Sequence, residues 1–172
     1  MDRVDDILAQ WARERPDLDT GPMGLFGRLK RLTDLLSEEL TAVFRAHGLT
    51  AASFDVLATL RRAGAPHALS PSELMDWTMV ASGTMTNRID RLEAEGLIER
   101  RPNPADGRGS IVQLTPRGLA LIDRVVTDHV ANQHRLLAAL PPELRGPVGA
   151  GLKVWLAGLE AEARPTAPGT GR

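Results

Sequence analysis

Three polar side chains, Thr84, Asn87 and Arg91, recur at intervals of three and four residues in the stretch ASGTMTNRIDRLEAEGLIERR. On a helix this spacing places them along one side, because each residue turns about 100° around the axis. Asn forms two hydrogen bonds with adenine in the major groove, and Arg forms two with guanine. The pattern therefore indicates a helix that reads base edges in double-stranded DNA.

Two serines are suited to contact the DNA backbone. Ser82 begins the same stretch, and Ser72 lies in the preceding segment SPSELMDWTMV. The first turn of a helix offers free backbone N–H groups and the positive end of the helix dipole, which attract a phosphate. We therefore assign both serines to the backbone. The alternative for the whole stretch is an ordinary amphipathic surface helix whose polar side faces water.

The elements that must position these side chains follow from the local pattern. The side of the predicted helix opposite the polar residues carries Met85, Ile89 and Leu92. Gly96 tolerates left-handed backbone and ends the helix. Upstream, Ser70 and Glu73 form a capping box around Pro71, which begins a brief helix. Two short helices joined by a tight turn form a helix-turn-helix.

A hairpin is predicted directly after this pair of helices. LIERR and SIVQL each favour a strand, and PNPADGRG between them is rich in turn-forming residues. The combination is a winged helix. Arg108 at the tip would enter a narrow minor groove, which attracts a guanidinium. Asp106 would orient Arg108 or bridge back to Arg91, and the alternative is that DGR is a common surface turn.

The two ends of the chain are predicted to be helical. Helices are expected at 2–15, at about 23–47, from Thr50 to Gly64, from Thr115 to Pro141, and at about 143–159, with a loop at 63–68. These helices carry more apolar surface than a small domain can cover, so we expect them to join two subunits. A two-fold dimer would place its reading helices in successive major grooves roughly 34–36 Å apart on a palindromic operator.

The predicted fold class is therefore mainly α, a winged helix-turn-helix with N- and C-terminal dimerisation helices. The expected segments are 1–48 for the N-terminal helices, which hold a ligand pocket and dimerise, 49–115 for the DNA-binding domain, 116–162 for the C-terminal dimerisation helices and 163–172 for a disordered tail.

Composition limits the classes of function. The 172 residues include no cysteine, which excludes a thiolate nucleophile and cysteine zinc ligands. No phosphate loop, activated nucleophile or carboxylate pair points to an enzyme, so we expect no catalytic residue, cofactor or metal. The four histidines lack metal-site spacing, although their titration could tune a dimer. Without a signal peptide or a membrane-spanning apolar run, the chain is expected to be cytoplasmic.

The order of elements, the stretch SGTMTNRIDRLEAEGLIER and the wing DGRG…QLTPRG resemble the MarR family of transcriptional regulators over about residues 23–160. The extra first helix, FDVL at 54–57 and TNRID at 86–90 are similar to its urate-responsive (UrtR-like) branch. WARERPDLD looks most like the members that answer to trans-aconitate and citrate. The resemblance implies a dimeric repressor that a small anionic metabolite, such as urate, xanthine or a carboxylate, releases from DNA.

The resemblance further implies that Trp11, Asp55 and Arg88 bind this ligand. The residues alone leave alternatives open. Arg88, on the flank of the reading helix, would hold an anion and tilt the helix, or would bind a phosphate or pair with a nearby acid. Asp55 points away from the apolar stripe of its helix and is equally explained as a solvated carboxylate. Trp11 shares a face with apolar neighbours, which favours core packing.

A function of a different class competes with DNA binding. The reading helix and the strand after it balance four arginines against four acids, Asp90, Glu93, Glu95 and Glu99. A near-neutral surface of this kind also fits a winged-helix protein-interaction module that does not bind DNA. A net charge of −1 for the whole chain does not decide between the two.

Overall fold

A computed structural model describes residues 1–78, 85–103 and 109–163. The described elements are α1 (Arg3–Glu14), α2 (Gly21–Ala46), α3 (Ala51–Arg62), β1 (Ala68–Leu69), α4 (Pro71–Trp77), α5 (Met85–Ala94), β2 (Ile98–Pro102), β3 (Ser110–Leu114), α6 (Pro116–Leu137) and α7 (Pro142–Ala163). The mainly helical class and the two strands of the hairpin are confirmed. The chain divides into two compact units, residues 1–133 and 134–172.

Side-chain caps fix where α3 and α4 begin. The Thr50 hydroxyl accepts the backbone N–H of Ser53 at 3.0 Å. Ser70 and Glu73 satisfy each other's backbone N–H groups at 2.8 and 3.2 Å, which is the predicted capping box. Gly96 has φ +67°, and its N–H and that of the next residue close a Schellman turn on the last turn of α5. The predicted helix caps at Thr50 and Ser70 and the predicted helix end at Gly96 are thus confirmed.

The sheet is antiparallel with the order β1-β3-β2. Ile98 lies opposite Leu114 at the root of the hairpin, and Pro102 lies opposite Ser110 at its outer end. The prediction that 63–68 is entirely a loop is wrong at its last residue, because Ala68 pairs with Gln113 as part of β1. A two-residue strand is too short to show an alternating pattern, and its pairing is fixed by β3 instead.

One apolar core unites the elements from the end of α2 to α6. Its fully buried large side chains are Val56, Leu57, Leu60, Leu74, Leu92, Ile98, Val112, Ile122 and Val125. α6 approaches the hairpin so closely that a Cβ at Gly118 would lie 1.9 Å from the Leu97 carbonyl oxygen. Glycine is therefore required there, and α6 lies directly against the residue that links α5 to β2.

α1 packs against α2 at Gly24 and Gly27, and Arg28 of α2 forms hydrogen bonds with the start of α1. A Cβ at Gly24 would lie 3.0 Å from Leu8 Cδ1, so the missing side chain makes room for α1. Arg28 donates to Asp2 at 2.8 Å and also to Asp5. The pKa of both carboxyls is lowered, for Asp2 chiefly by the hydrogen bond from Arg28 and for Asp5 chiefly by that from the Asp2 backbone.

Large apolar side chains remain exposed at both ends of the chain. On α2 they include Leu25, Leu32 and Leu35, and on α7 they include Leu152, Val154, Leu156 and Leu159. α7 contains no buried residue. Among the described helices, none combines the length and the apolar content that crossing a membrane requires.

Three helix bounds differ clearly from the predictions. α6 ends at Leu137 rather than continuing to Pro141. α2 begins at Gly21 rather than Met23, because Pro22 is compatible with the first turn of a helix. α7 continues to Ala163, beyond Leu159, through residues with high helix propensity. The prediction of a disordered tail at 163–172 is therefore wrong at Ala163, which is helical, and 164–172 lies outside the described residues.

Candidate nucleic-acid interface

α5 presents the polar side that its sequence predicts. Met85, Ile89 and Leu92 are buried in the core, whereas Asn87 and Arg91 are exposed. The Arg91 side chain is 62% exposed, and its Nε donates to Glu95 Oε1 at 2.9 Å along the same helix. An exposed i,i+4 pair of this kind contributes only a few tenths of a kcal/mol, about 0.3–0.5, so Arg91 can exchange Glu95 for another acceptor.

The other proposed DNA contacts are only partly described. Ser72 is exposed on α4, and its hydroxyl lies 3.1 Å from that of Ser70. Ser82 and Thr84, before α5, lie outside the described residues, as do Asp106 and Arg108 in the wing. Their roles remain predictions.

Arg100 makes a connection that the sequence analysis missed. It stands on β2, and its backbone N–H donates to Glu93 Oε1 on α5 at 3.0 Å. Its guanidinium donates to the same Glu93 and also to Asp90. The hydrogen bond to Asp90 raises the pKa of the Arg100 guanidinium. The sequence showed that arginines and acids balance in this stretch. It did not show that Arg100 pairs with Glu93, seven residues earlier, and with Asp90, ten residues earlier.

Two of the proposed ligand-binding residues contain buried polar atoms without partners. Asp55 is half-buried on α3, and its Oδ2 has no hydrogen-bond partner among the described residues. One oxygen of the Asp55 carboxylate is thus shielded from solvent, while the residue as a whole is only half-buried. Arg88 is half-buried on α5, and its Nη1 likewise has no partner in the described part of the chain. Buried donors and acceptors in this condition favour an additional partner.

Trp11 does not belong to the core of the protomer. Its side chain is 39% exposed near the end of α1, whereas Val4 at the other end is buried against α2. The prediction of plain core packing for Trp11 is wrong, because the shared helical face is buried only where Gly24 and Gly27 admit α1. No hydrogen bond or ion pair between described residues joins Trp11, Asp55 and Arg88.

Two histidines lie where α2 and α3 meet α6. His47 Nε2 is 2.8 Å from Asp128 Oδ2. The His129 ring packs beside Phe44 and Phe54, with centroids 5.1 and 5.0 Å away, and burial lowers the pKa of its imidazole. Regulation of a dimer by these groups remains a prediction.

Comparisons with known proteins connect this geometry to a function. The sequence pattern described as the MarR family matches residues 47–109. The chain is 46% identical to the HTH-type transcriptional regulator PecS of Dickeya dadantii over 140 residues, which is 81% of this chain and 84% of that protein.

Solved structures agree with these sequence matches. AbsC, a MarR family transcriptional regulator from Streptomyces coelicolor, superposes with a TM-score of 0.71 at 26% identity, over 84% of this chain and 97% of AbsC. A mutant MarR from E. coli, complexed with operator DNA, gives a TM-score of 0.65 at 28% identity, over 85% of this chain and 97% of that one. The relatives are transcriptional regulators rather than enzymes.

Proposed function

The chain belongs to the MarR family of DNA-binding transcriptional regulators, and we propose that it acts as a homodimeric repressor that a small anionic metabolite releases from its operator. The observation that carries the proposal is the two-sided character of α5. Its apolar side is buried, and Asn87 and Arg91 project from the other side. In this proposal the wing adds a minor-groove contact, and the terminal helices join the two copies that carry the reading helices.

Each part of the DNA-binding surface has a separate task in this proposal. Thr84, Asn87 and Arg91 read bases in the major groove, since these side chains match the donors and acceptors presented there. Ser72 and Ser82 contact the DNA backbone, and such contacts fix the orientation of the protein on the duplex. Arg108, oriented by Asp106, enters the minor groove. A palindromic duplex satisfies two such surfaces at once.

The dimer is proposed from the exposed apolar surface at the ends of the chain. Leu25, Leu32 and Leu35 on α2 and Leu152 and Leu156 on α7 are each about half exposed in the protomer. Exposed apolar residues in such numbers mark an interaction surface. A second copy of the chain would cover them and would set the distance between the two reading helices.

The ligand is proposed to be an anion that contacts Trp11, Asp55 and Arg88. Support comes from the unpartnered Nη1 of Arg88, which lies on the reading helix itself. Urate, xanthine, citrate and trans-aconitate are the candidates that the resemblance suggests. Binding would favour a dimer whose reading helices no longer match the half-sites, with a coupling free energy of about 1–3 kcal/mol.

Operator binding is tested on a palindromic duplex from the region upstream of the chain's own gene. Asn87→Ala and Arg91→Ala should each weaken binding by about 1–3 kcal/mol and relax sequence preference at one position. Arg124→Ala, which removes an exposed arginine from α6, is the matched control. Unchanged affinity in both α5 variants would refute the assignment of this side of the helix.

Release by ligand is tested separately. The operator complex is titrated with urate, xanthine, citrate and trans-aconitate, and the release midpoint is measured. Arg88→Gln should raise that midpoint, while Arg124→Gln should leave it unchanged. If none of the four anions releases the wild-type protein, the proposed ligand class is wrong even though DNA binding stands.

The alternative is a protein-interaction module that does not bind DNA. The observation that favours it is the pairing of Arg91 with Glu95 and of Arg100 with Asp90 and Glu93, which leaves this surface nearly neutral. Salt dependence separates the two functions. A repressor loses affinity steeply as salt increases, because bound phosphates release counterions. Absence of duplex binding at low salt would favour the interaction module.

A further inference from the structure

We infer that Arg100 is a positioning residue for DNA recognition, which holds the wing at a fixed angle to α5 and makes no contact with DNA. The inference rests on the DNA-binding part of the proposed function and extends it to a residue outside the reading side of α5. It also assigns Asp90 and Glu93 as partners of the wing rather than as simple surface charges.

Arg100 makes several links between β2 and α5. The Arg100 backbone N–H and guanidinium both reach Glu93, and the guanidinium also reaches Asp90. The two acids stand three residues apart on α5 and therefore project from the same side. A planar guanidinium that serves two carboxylates fixes direction as well as distance.

Arg101, the next residue along β2, differs from Arg100 in both exposure and partner. The Arg101 side chain is 56% exposed and pairs at 2.7 Å with Glu99, its neighbour on β2. The Arg100 side chain is 35% exposed, and both of its partners lie on a different element. The ion pair of Arg101 therefore lies within β2, whereas the ion pairs of Arg100 connect β2 to α5.

Arg100 lies where the hairpin leaves the core, so its link to α5 affects the direction of the outer part of the wing. Arg100 lies opposite Val112, which is fully buried, and two residues later Pro102 and Ser110 form the last pair before the tip. The hairpin is thus held by the core on one side and by α5 on the other at the same register. The direction in which the strands leave this point follows from both attachments.

Charge argues against a direct phosphate contact by Arg100. Its single positive charge is shared between two carboxylates, so the group of three is net negative. If Arg100 turned toward a phosphate, Asp90 and Glu93 would remain uncompensated beside the anionic backbone of DNA. Like charges at such distances repel, and this opposes the exchange.

The decisive variant is Glu93→Gln, because the two possible roles predict opposite signs. The substitution removes a negative charge near DNA, so electrostatics alone would tighten operator binding. If Arg100 positions the wing, operator affinity instead falls by about tenfold, and minor-groove protection at the wing site is lost in a hydroxyl-radical footprint. Tighter operator binding with intact protection would overturn the inference.

Arg100→Lys and Arg101→Lys form a matched pair with the charge preserved. Lysine retains a phosphate contact but cannot reproduce the fork that holds two acids. Arg100→Lys should weaken operator binding with an unchanged slope of log affinity against log salt, and Arg101→Lys should leave operator affinity unchanged. A slope reduced by about 0.9 in Arg100→Gln would identify a phosphate contact and refute the positioning role.

The outcomes also separate this inference from the function on which it rests. A wild-type chain that binds no duplex would overturn both. A wild-type chain that binds its operator, with Glu93→Gln and Arg100→Lys binding and footprinting like wild type, would overturn only the role of Arg100. Far-ultraviolet circular dichroism of each variant establishes that the fold is retained.

Discussion

The DNA-binding domain and the terminal helices differ in how far they bury their apolar side chains. In the domain, Leu57, Leu74 and Leu92 come from three helices and are fully buried in one core. α7 is of similar length to α6 but has no buried residue, and Leu156 remains 58% exposed. The domain is thus complete within one protomer, whereas the terminal helices carry apolar surface that a second molecule can cover.

The largest expected effect is in the domain core. Leu57→Ala should lower the free energy of unfolding by about 2–5 kcal/mol, because it removes buried contacts and leaves a cavity. Leu25→Ala, at an exposed position on α2, should cost less than about 1 kcal/mol. Urea denaturation at several protein concentrations measures both. Only the loss of unfolding free energy in Leu25→Ala should depend on protein concentration, because dimerisation depends on concentration. Equal losses in the two variants would contradict the difference between the buried core and the exposed surface of α2.

The second prediction concerns the surface of α7. Leu156→Glu should weaken dimerisation by about 3 kcal/mol, or about a hundredfold, because a carboxylate would be buried without a partner. Sedimentation equilibrium measures the dissociation constant, and Glu160→Gln is a control on the same helix. A variant that dimerises like wild type would show that α7 does not join the subunits.

Two glycine substitutions compare the packing of the regions directly. Gly118→Ala should lower the free energy of unfolding by about 1–3 kcal/mol, since its Cβ would overlap the Leu97 carbonyl. Gly149→Ala on α7 meets no atom within 4 Å and should raise it by about 0.4–1 kcal/mol through helix propensity. Thermal unfolding of the two variants tests the signs, and a stabilised Gly118→Ala protein would contradict the close approach of α6.

The smallest effect is a pH dependence that belongs to the domain. Burial lowers the pKa of His129, so the folded state favours the neutral ring. Its contribution to stability is complete above the unfolded pKa of about 6.5 and is lost as pH falls toward the lowered folded value. Urea midpoints between pH 7.5 and 5 should fall less in His129→Gln than in wild type.

His134→Gln, at an exposed position of the same helix, is the control for this titration. Its midpoints should follow those of the wild-type protein throughout the range. Carboxyls with a lowered pKa, such as Glu73, lose their contribution only at more acidic pH and therefore do not obscure the comparison.

The sequence predicted those features that depend on neighbours along the chain. The caps at Thr50 and Ser70 and the turn at Gly96 use side chains or backbone freedom within a few residues, so local pattern was sufficient. The exposure of Asn87 and Arg91 followed in the same way from the 3.6-residue period. Asn87 and Arg91 are two of the three proposed base-reading residues.

Features that depend on distant contacts could not be predicted. The half-buried state of Asp55 depends on how α3 packs in the domain, and the two-residue β1 depends on β3 more than 40 positions later. The link from Arg100 to α5 requires the turn at Gly96 to place strand and helix side by side.

The order β1-β3-β2 also has a consequence for solubility at high concentration. A sheet with two open edges can recruit strands from other molecules, which is a common route to aggregation. Here one edge, β1, is only two residues long, and the other, β2, carries Glu99, Arg100, Arg101 and Pro102. The short length of β1, and the charges and proline of β2, oppose such recruitment.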